Sequence, residues 1–213
     1  MILGISASGR EKGMTAQAVK YVLETSGEEY EYISLARLVI NGCRGCVLCG
    51  GDNRCVMKDD WIDVQNAMLK ADAIVFGAPN YYGMINGLGH ACLERTFAFR
   101  HREVFSLAGK LGVAIGTTYS GRAAIVNEYI EQMFRSNLMP VVGNVAIDGY
   151  SQCYTCGYGE DCAVGGVVRK HGFCDQITPD MLPTPFEERE EDLFKLKKVG
   201  KTLGSVLKAR SRN

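Results

Sequence analysis

Four cysteines, Cys43, Cys46, Cys49 and Cys55, fall within thirteen residues at spacings of x2, x2 and x5. Thiols this close in sequence can wrap one small inorganic centre. They do not readily form two unstrained disulfides, because cysteines at x2 spacing close tight, strained loops. The run C-x2-C-x2-C is the local signature of a 4Fe–4S cubane, whose fourth thiolate comes from elsewhere in the chain. Here Cys55 is close at hand. The chemistry this predicts is one-electron transfer.

A second set, Cys153, Cys156, Cys162 and Cys174, is spaced x2, x5 and x11 around Gly157-Tyr158-Gly159. It reads as a second metal or cluster site, as structural zinc, or as thiols that stay free or pair under oxidation. Two sets of four leave Cys92. Its mid-helix place predicts an inert core thiol. His90, His101 and His171 have no partner legible in the sequence. His101, between Arg100 and Arg102, reads as a solvated basic helix end.

Three further segments could hold a ligand. The first runs from Ser6 through Ser8, Gly9, Arg10 and Gly13 to Met14 and Thr15. Small residues let backbone N–H groups converge, hydroxyls add donors, and a helix amino terminus favours an anion. It is neither a Walker loop nor G-x-G-x-x-G. It reads as a phosphate cradle or as an ordinary strand-to-helix turn capped by Thr15. The second is Pro79-Asn80-Tyr81-Tyr82-Gly83-Met84, whose aromatics suit a flat ring or a subunit contact. The third is Gly116-Thr117-Thr118-Tyr119-Ser120-Gly121, after the fourth strand.

The elements that must position these segments follow from hydrophobic runs. Strands are expected at 1–6, 29–35, 73–78, 111–117 and 141–147, mostly as near-continuous apolar runs, the mark of strands covered on both faces. Helices are expected at 15–26, 59–70, 86–100 and 122–137. Asp59 and Asp60 suit the start of the second. A last helix reaches residue 210, with Leu193, Leu196, Val199, Leu203 and Val206 on one face. Alternating strands and helices predict α/β: a doubly wound parallel sheet of five strands. Ligands in such sheets bind outside the carboxyl ends of the strands, which is where the three segments converge.

The chain has 213 residues, 46% of them hydrophobic, enough for one domain with a proper core. Residues 40–58 form a cysteine-rich loop after strand two, and 148–185 a long cysteine-rich insertion before a final helix at 186–210. Lys plus Arg and Asp plus Glu balance at 24 each, so no charge excess points to nucleic acid or a membrane surface. The amino terminus reads as a buried strand and not as a signal peptide. No apolar run nears the ~18 residues of a membrane span. Nine cysteines without a secretion signal predict reduced thiols or metal ligands in a cytoplasmic protein.

Ser6-x-Ser8-x-Arg10-x-x-Gly13-x-Thr15, Pro79-x-Tyr81-Tyr82-Gly83 and a helix ending Leu93-Glu94-Arg95 together resemble the NADPH-dependent FMN reductase branch of the flavodoxin-like superfamily. Adding Cys43, Cys46, Cys49 and Cys55 narrows the resemblance to the iron–sulfur flavoproteins of anaerobic archaea and bacteria. The resemblance implies strand order 2-1-3-4-5. It implies an FMN phosphate held by Ser8, Arg10, the Met14 backbone and Thr15. The isoalloxazine would be lined by Pro79, Asn80, Tyr81, Tyr82, Gly83 and Met84, and by Thr118, Tyr119, Ser120 and Gly121. The four clustered cysteines would ligate a 4Fe–4S cluster, in a homodimer or homotetramer. The chain departs from the family at Gly9, where Pro is usual, at Met14, where Asn is usual, and at Thr117-Thr118-Tyr119, where glycines are usual.

Three functions are open at this stage. One couples two-electron flavin chemistry to one-electron transfer through the cluster, with a ferredoxin-type carrier or NAD(P)H as donor. The second is an NAD(P)H-dependent flavin or quinone reductase with structural zinc in the cysteine loop. The third is a non-catalytic redox sensor or metal-stabilised interaction protein.

Overall fold

The computed structural model describes residues 1–119 and 121–211. Five parallel strands, β1 (Ile2–Ser6), β2 (Tyr30–Ser34), β3 (Ala73–Tyr81), β7 (Leu111–Thr118) and β8 (Val141–Asp148), form a sheet in the order β2-β1-β3-β7-β8. This is the expected 2-1-3-4-5 winding. A short strand β4 (Met84–Ile85) folds back on the end of β3, pairing Tyr81 with Met84. A separate hairpin joins β5 (Arg100–His101) to β6 (Val104–Phe105).

The central strands are covered on both faces, and their apolar runs show it: β1 and β7 are buried throughout. The edges differ. Strand β8 alternates, with Val145 and Ile147 buried between exposed neighbours, and β2 begins exposed at Tyr30 and Glu31. An edge strand needs only one apolar face.

Helices α1 (Met14–Ser26) and α6 (Glu190–Arg210) cover one face of the sheet, where Val19, Val22, Leu23, Leu196 and Leu203 are buried together. Helices α2 (Trp61–Lys70), α3 (Gly87–Glu94) and α4 (Ala123–Ser136) cover the other, around Trp61, Met68, Leu93, Ile130 and Phe134. Helix α1 lies so near the sheet that a Cβ at Gly77 would come within 2.5 Å of Val19 Cγ2. That closeness sets the amino end of α1 over the ends of β1 and β3. Among the described residues no helix is long and apolar enough to cross a membrane.

Four expectations change. The helix expected over 86–100 is α-helical only to Glu94, then tightens to a 3-10 turn over Arg95–Phe99 and enters the β5–β6 hairpin. Thr96 Oγ1 donates to Leu93 O at 2.6 Å as the winding tightens. The apolar period runs on through Phe97 and Phe99, so it could not mark that change. Asp59 and Asp60 precede α2, but only Asp59 touches its start, accepting from Trp61 N–H at 3.3 Å. Inside the cysteine-rich insertion, a short helix α5 (Gly166–His171) forms. The last helix starts at Glu190, after a 3-10 turn over Phe186–Glu188.

Candidate functional site

A cleft of about 470 Å³ opens at the carboxyl ends of β1, β3, β7 and β8. This is within the usual size of a cofactor site. Ser8, Arg10, Met14, Thr15, Pro79, Asn80, Tyr81, Tyr82, Thr118 and Tyr119 line it, all singled out from the sequence. Gly83, Met84 and Gly121 are not among its lining residues, and Ser120 lies outside the described residues. The cleft also takes Gly13, Thr117, Gly149, Tyr150, Ser151 and Gln152. The last four had been read as the start of the insertion. The signal that could have found them is topological, since the end of the fifth strand shares the same edge.

One end of the cleft suits an anion. Helix α1 is preceded by Gly13, which offers no side-chain cap, and has no acidic residue in its first turn, so its leading N–H groups face the cleft unneutralised. A Cβ on Gly13 would sit 3.1 Å from Arg10 Cβ and 3.4 Å from Ser8 Oγ, so a side chain there would crowd the cradle. Arg10 supplies a full positive charge, its Nη2 3.4 Å from Thr155 Oγ1 and its guanidinium 5.6 Å from the Tyr150 ring centre. Thr15 is not the cap that the turn reading assigned it. Its hydroxyl pairs at 2.7 Å with that of Thr117, at the back of the cleft.

The other end is aromatic. Asn80 Oδ1 accepts from Gly83 N–H at 2.8 Å, and Asn80 Nδ2 donates to Arg122 O at 2.9 Å. These bonds fix the β3–β4 turn, where Tyr82 (φ 56°) and Gly83 (φ 81°) are left-handed. Tyr82 is fully exposed at the tip, beside half-exposed Tyr81 and Tyr119. Gln152 Nε2 donates to the Tyr81 hydroxyl at 3.3 Å, tying the fifth strand's loop to the third's.

The first cysteine set lies on the α2–α3–α4 side. Cys43, Cys46, Cys49 and Cys55 line one small hollow with Arg95 and Phe97. Among the described residues no three His, Cys, Asp or Glu side chains stand close enough together to hold a metal ion, and this covers both cysteine sets. Burial pushes the Cys49 thiol above its ordinary value, and any charge on Cys55, Cys46 or Cys43 would push it further. Four thiolates repel one another, so drawing them together takes the positive charge of a metal centre. The donor set fits such a centre: four sulfurs around one hollow, with the positive charge of buried Arg95 in its wall.

Sequence reading missed two residues here. Arg95 is fully buried and clamps the loop's ends. It donates to Asp59 Oδ2 at 2.7 Å, Asp59 Oδ1 at 3.1 Å and Asn41 O at 2.9 Å. Asn41 N–H in turn donates to Asp59 at 3.0 Å. His101 is no solvated helix end, because its Nε2 lies 3.0 Å from Cys49 Sγ. His90 and His171 also have partners, Glu94 at 3.3 Å and the Tyr154 hydroxyl at 3.0 Å.

Helix α3 links the two sites. Its cap residue Asn86 donates to Ala7 O at 2.7 Å, beside the cleft, and its last residue Glu94 accepts from Cys43 N–H at 3.3 Å. Its eight residues rise about 12 Å.

In the second set, Cys153 Sγ accepts from Gly166 N–H at 3.1 Å, and the Cys156 thiol faces Cys153 O at 3.4 Å. The hydrogen bond with Ser151, then that from Gly166 N–H, holds the Cys153 thiol below its ordinary value. Burial drives the Cys92 thiol far upward, as an inert core position requires.

The family described as NADPH-dependent FMN reductase matches residues 1–152 of this chain. The chain belongs to that family. Within it, the iron–sulfur flavoprotein MJ1083 of Methanocaldococcus jannaschii is 32% identical over 148 residues, covering 67% of this chain and 76% of the relative. That places the chain on the iron–sulfur flavoprotein branch. Among solved structures, RosB with a bound riboflavin-phosphate derivative superposes with a TM-score of 0.66 at 13% identity, covering 98% of this chain and 80% of the other. The flavodoxin-type, WrbA-like protein of Agrobacterium tumefaciens gives 0.56 at 13%, covering 98% and 97%. At such identities these two show the fold alone, which is flavodoxin-like. The family member described here is a flavin-dependent oxidoreductase with an FMN-dependent redox function.

Proposed function

We propose that this family member holds FMN in the cleft and a 4Fe–4S cluster on Cys43, Cys46, Cys49 and Cys55, and passes electrons between them one at a time. The observation that carries the reading is the pairing of an uncapped anion cradle with a four-thiol hollow, joined by one short helix. When bound, the flavin accepts two electrons and the cluster exchanges one at a time.

The chain's own residues do the rest. Ser8, Arg10, Gly13, the Met14 backbone and Thr15 form the phosphate end. Pro79, Asn80, Tyr81 and Tyr82 wall the ring end, with Thr118 and Tyr119 opposite. Gly83, Met84 and Gly121 support the turns that carry this wall. Arg95 and Asp59 hold the neck of the cluster loop closed.

A ferredoxin-type carrier or NAD(P)H is the electron donor in this reading, and a cytoplasmic setting suits exposed reduced thiols. Residues 1–213 act as one domain. Self-association joins copies through the 43–55 loop and the 81–84 turn, where Val47, Leu48, Tyr82 and Met84 are exposed. Sedimentation in solution reads this last point directly, and a monomer at assay concentration removes it.

Anaerobic purification followed by iron, sulfide, zinc and flavin analysis tests the central reading. About four irons and one FMN per chain are expected. Stoichiometric zinc without iron would overturn the cluster assignment and leave a flavin reductase with a structural metal.

A further inference from the structure

We infer that His101 is a positioning residue for the cluster: its Nε2–H donates a hydrogen bond to the Cys49 sulfur, fixes that ligand and raises the cluster's reduction potential. The inference rests on the assignment of a cluster to Cys43, Cys46, Cys49 and Cys55.

The nitrogen lies 3.0 Å from the sulfur. Cys49 is the buried member of its set, only 8% exposed, so little water competes for that sulfur. A thiolate can only accept, so the nitrogen facing it must carry the proton.

Three features aim the ring. Buried Asn53 clamps the His101 backbone from both sides, its Oδ1 accepting from His101 N–H at 2.7 Å and its Nδ2 donating to His101 O at 3.3 Å. The Phe97 ring meets the imidazole nearly edge-on, centres 5.0 Å apart at 86°. The third is the β5–β6 turn, where Arg102 (φ 54°) and Glu103 (φ 63°) are both left-handed. Turns of this kind favour Asn-Gly, and side chains adopt the conformation at a cost. Backbone strain of this kind persists where the surroundings impose it, and it gathers at functional sites. Here it delivers His101 to Cys49.

The electrical consequence follows from charge. Reduction adds an electron to a thiolate-ligated cluster. An N–H aimed at a ligand sulfur stabilises the more negative state, and hydrogen bonds to sulfur are one of the levers that set cluster potentials.

The test compares wild type, His101→Gln and His101→Leu, purified anaerobically. Iron and sulfide are assayed, and the midpoint potential is read by EPR-monitored redox titration. With iron equal in all three, His101→Leu should lower the reduced-to-oxidised ratio at fixed potential about tenfold, a shift of about 59 mV for one electron. His101→Gln keeps an N–H at similar reach and should recover most of it. Equal iron and equal potentials overturn the inference while leaving the cluster assignment intact. If His101→Leu fails to hold iron, wild-type protein labelled with 15N-histidine decides by pulsed EPR. A weak imidazole coupling, lost in His101→Gln, supports the hydrogen bond. No coupling overturns it, as does one large enough for a direct iron–nitrogen bond. Wild-type protein without iron removes both the cluster and this inference.

Discussion

Arg95 and Asp59 form a two-pronged ion pair, 2.7 and 3.1 Å long, at the neck of the cysteine loop, with both side chains buried. Asn41 enters the loop and Asp59 leaves it, so the pair closes a long excursion at its base. A second clasp lies beside it, where Asp60 Oδ2 accepts from Val39 N–H at 2.6 Å and Asp60 N–H donates to Val39 O at 3.2 Å. The loop's ends are fixed by the protein, whatever its tip binds.

Removing one partner leaves a buried charge alone, which costs about 3–5 kcal/mol. Arg95→Ala should therefore lower the melting temperature by roughly 10 °C, at about 2–4 °C per kcal/mol for a chain this size. Arg95→Met combined with Asp59→Leu should recover much of the loss. Thermal unfolding checks both, and a small change in Arg95→Ala alone would show that the clasp at Asp60 suffices.

The same pair sets a pH dependence. Burial alone would raise the Asp59 carboxyl, but the Arg95 hydrogen bonds and those from Asn41 outweigh it and hold the group below its ordinary value. A depressed folded value gives stability that is present above the unfolded value, about 3.9, and is lost as pH falls through the folded one. Urea midpoints measured from pH 6 down to pH 2.5 should fall more steeply for wild type than for Asp59→Asn. Parallel curves would mean that Asp59 does not contribute to acid sensitivity.

At the cleft, Arg10→Ala should weaken FMN binding about 10- to 100-fold, the worth of one charge-assisted bond to a phosphate. Gly13→Val should weaken it through crowding, since a Cβ there already lies 3.1 Å from Arg10 Cβ. Thr15→Val should weaken it less, because the Thr15 hydroxyl is engaged with Thr117. Titrating FMN into apo-protein ranks the three, and unchanged affinity in the first two would make the loop an ordinary turn.

Tyr82 occupies a left-handed position that Asn would fill at lower cost. Tyr82→Asn should raise apo-protein stability by up to about 1 kcal/mol, part of the left-handed cost, while weakening flavin binding or self-association. A variant neutral in all three measurements would leave the exposed ring without a role.

The second cysteine set is a proposed metal site. Changing Cys153 and Cys156 to Ser should then remove metal beyond the first site and loosen residues 150–175, because metal binding free energy is folding free energy for such a loop. Equal metal content in the double variant favours plain thiols, with Cys153 then alkylating at lower pH than an ordinary cysteine, as its lowered value requires.

The sequence by itself determined what is local. Apolar runs at 73–78 and 111–117 marked strands buried on both faces, because period and burial are written residue by residue. The cysteine spacing and the Ser8–Thr15 turn were legible for the same reason: each is a contiguous stretch whose chemistry depends on near neighbours. Tertiary structure alone decided the contacts between distant segments. Arg95 reads as one more residue within a helix over 86–100 until the fold sets it against Asn41 and Asp59. His101 reads as a basic helix end until a hairpin turns it onto Cys49. Gly149 to Gln152 read as the start of an insertion until β8 lands beside β7 and brings them to the cleft. Such pairings join residues far apart along the chain, and no periodicity records them.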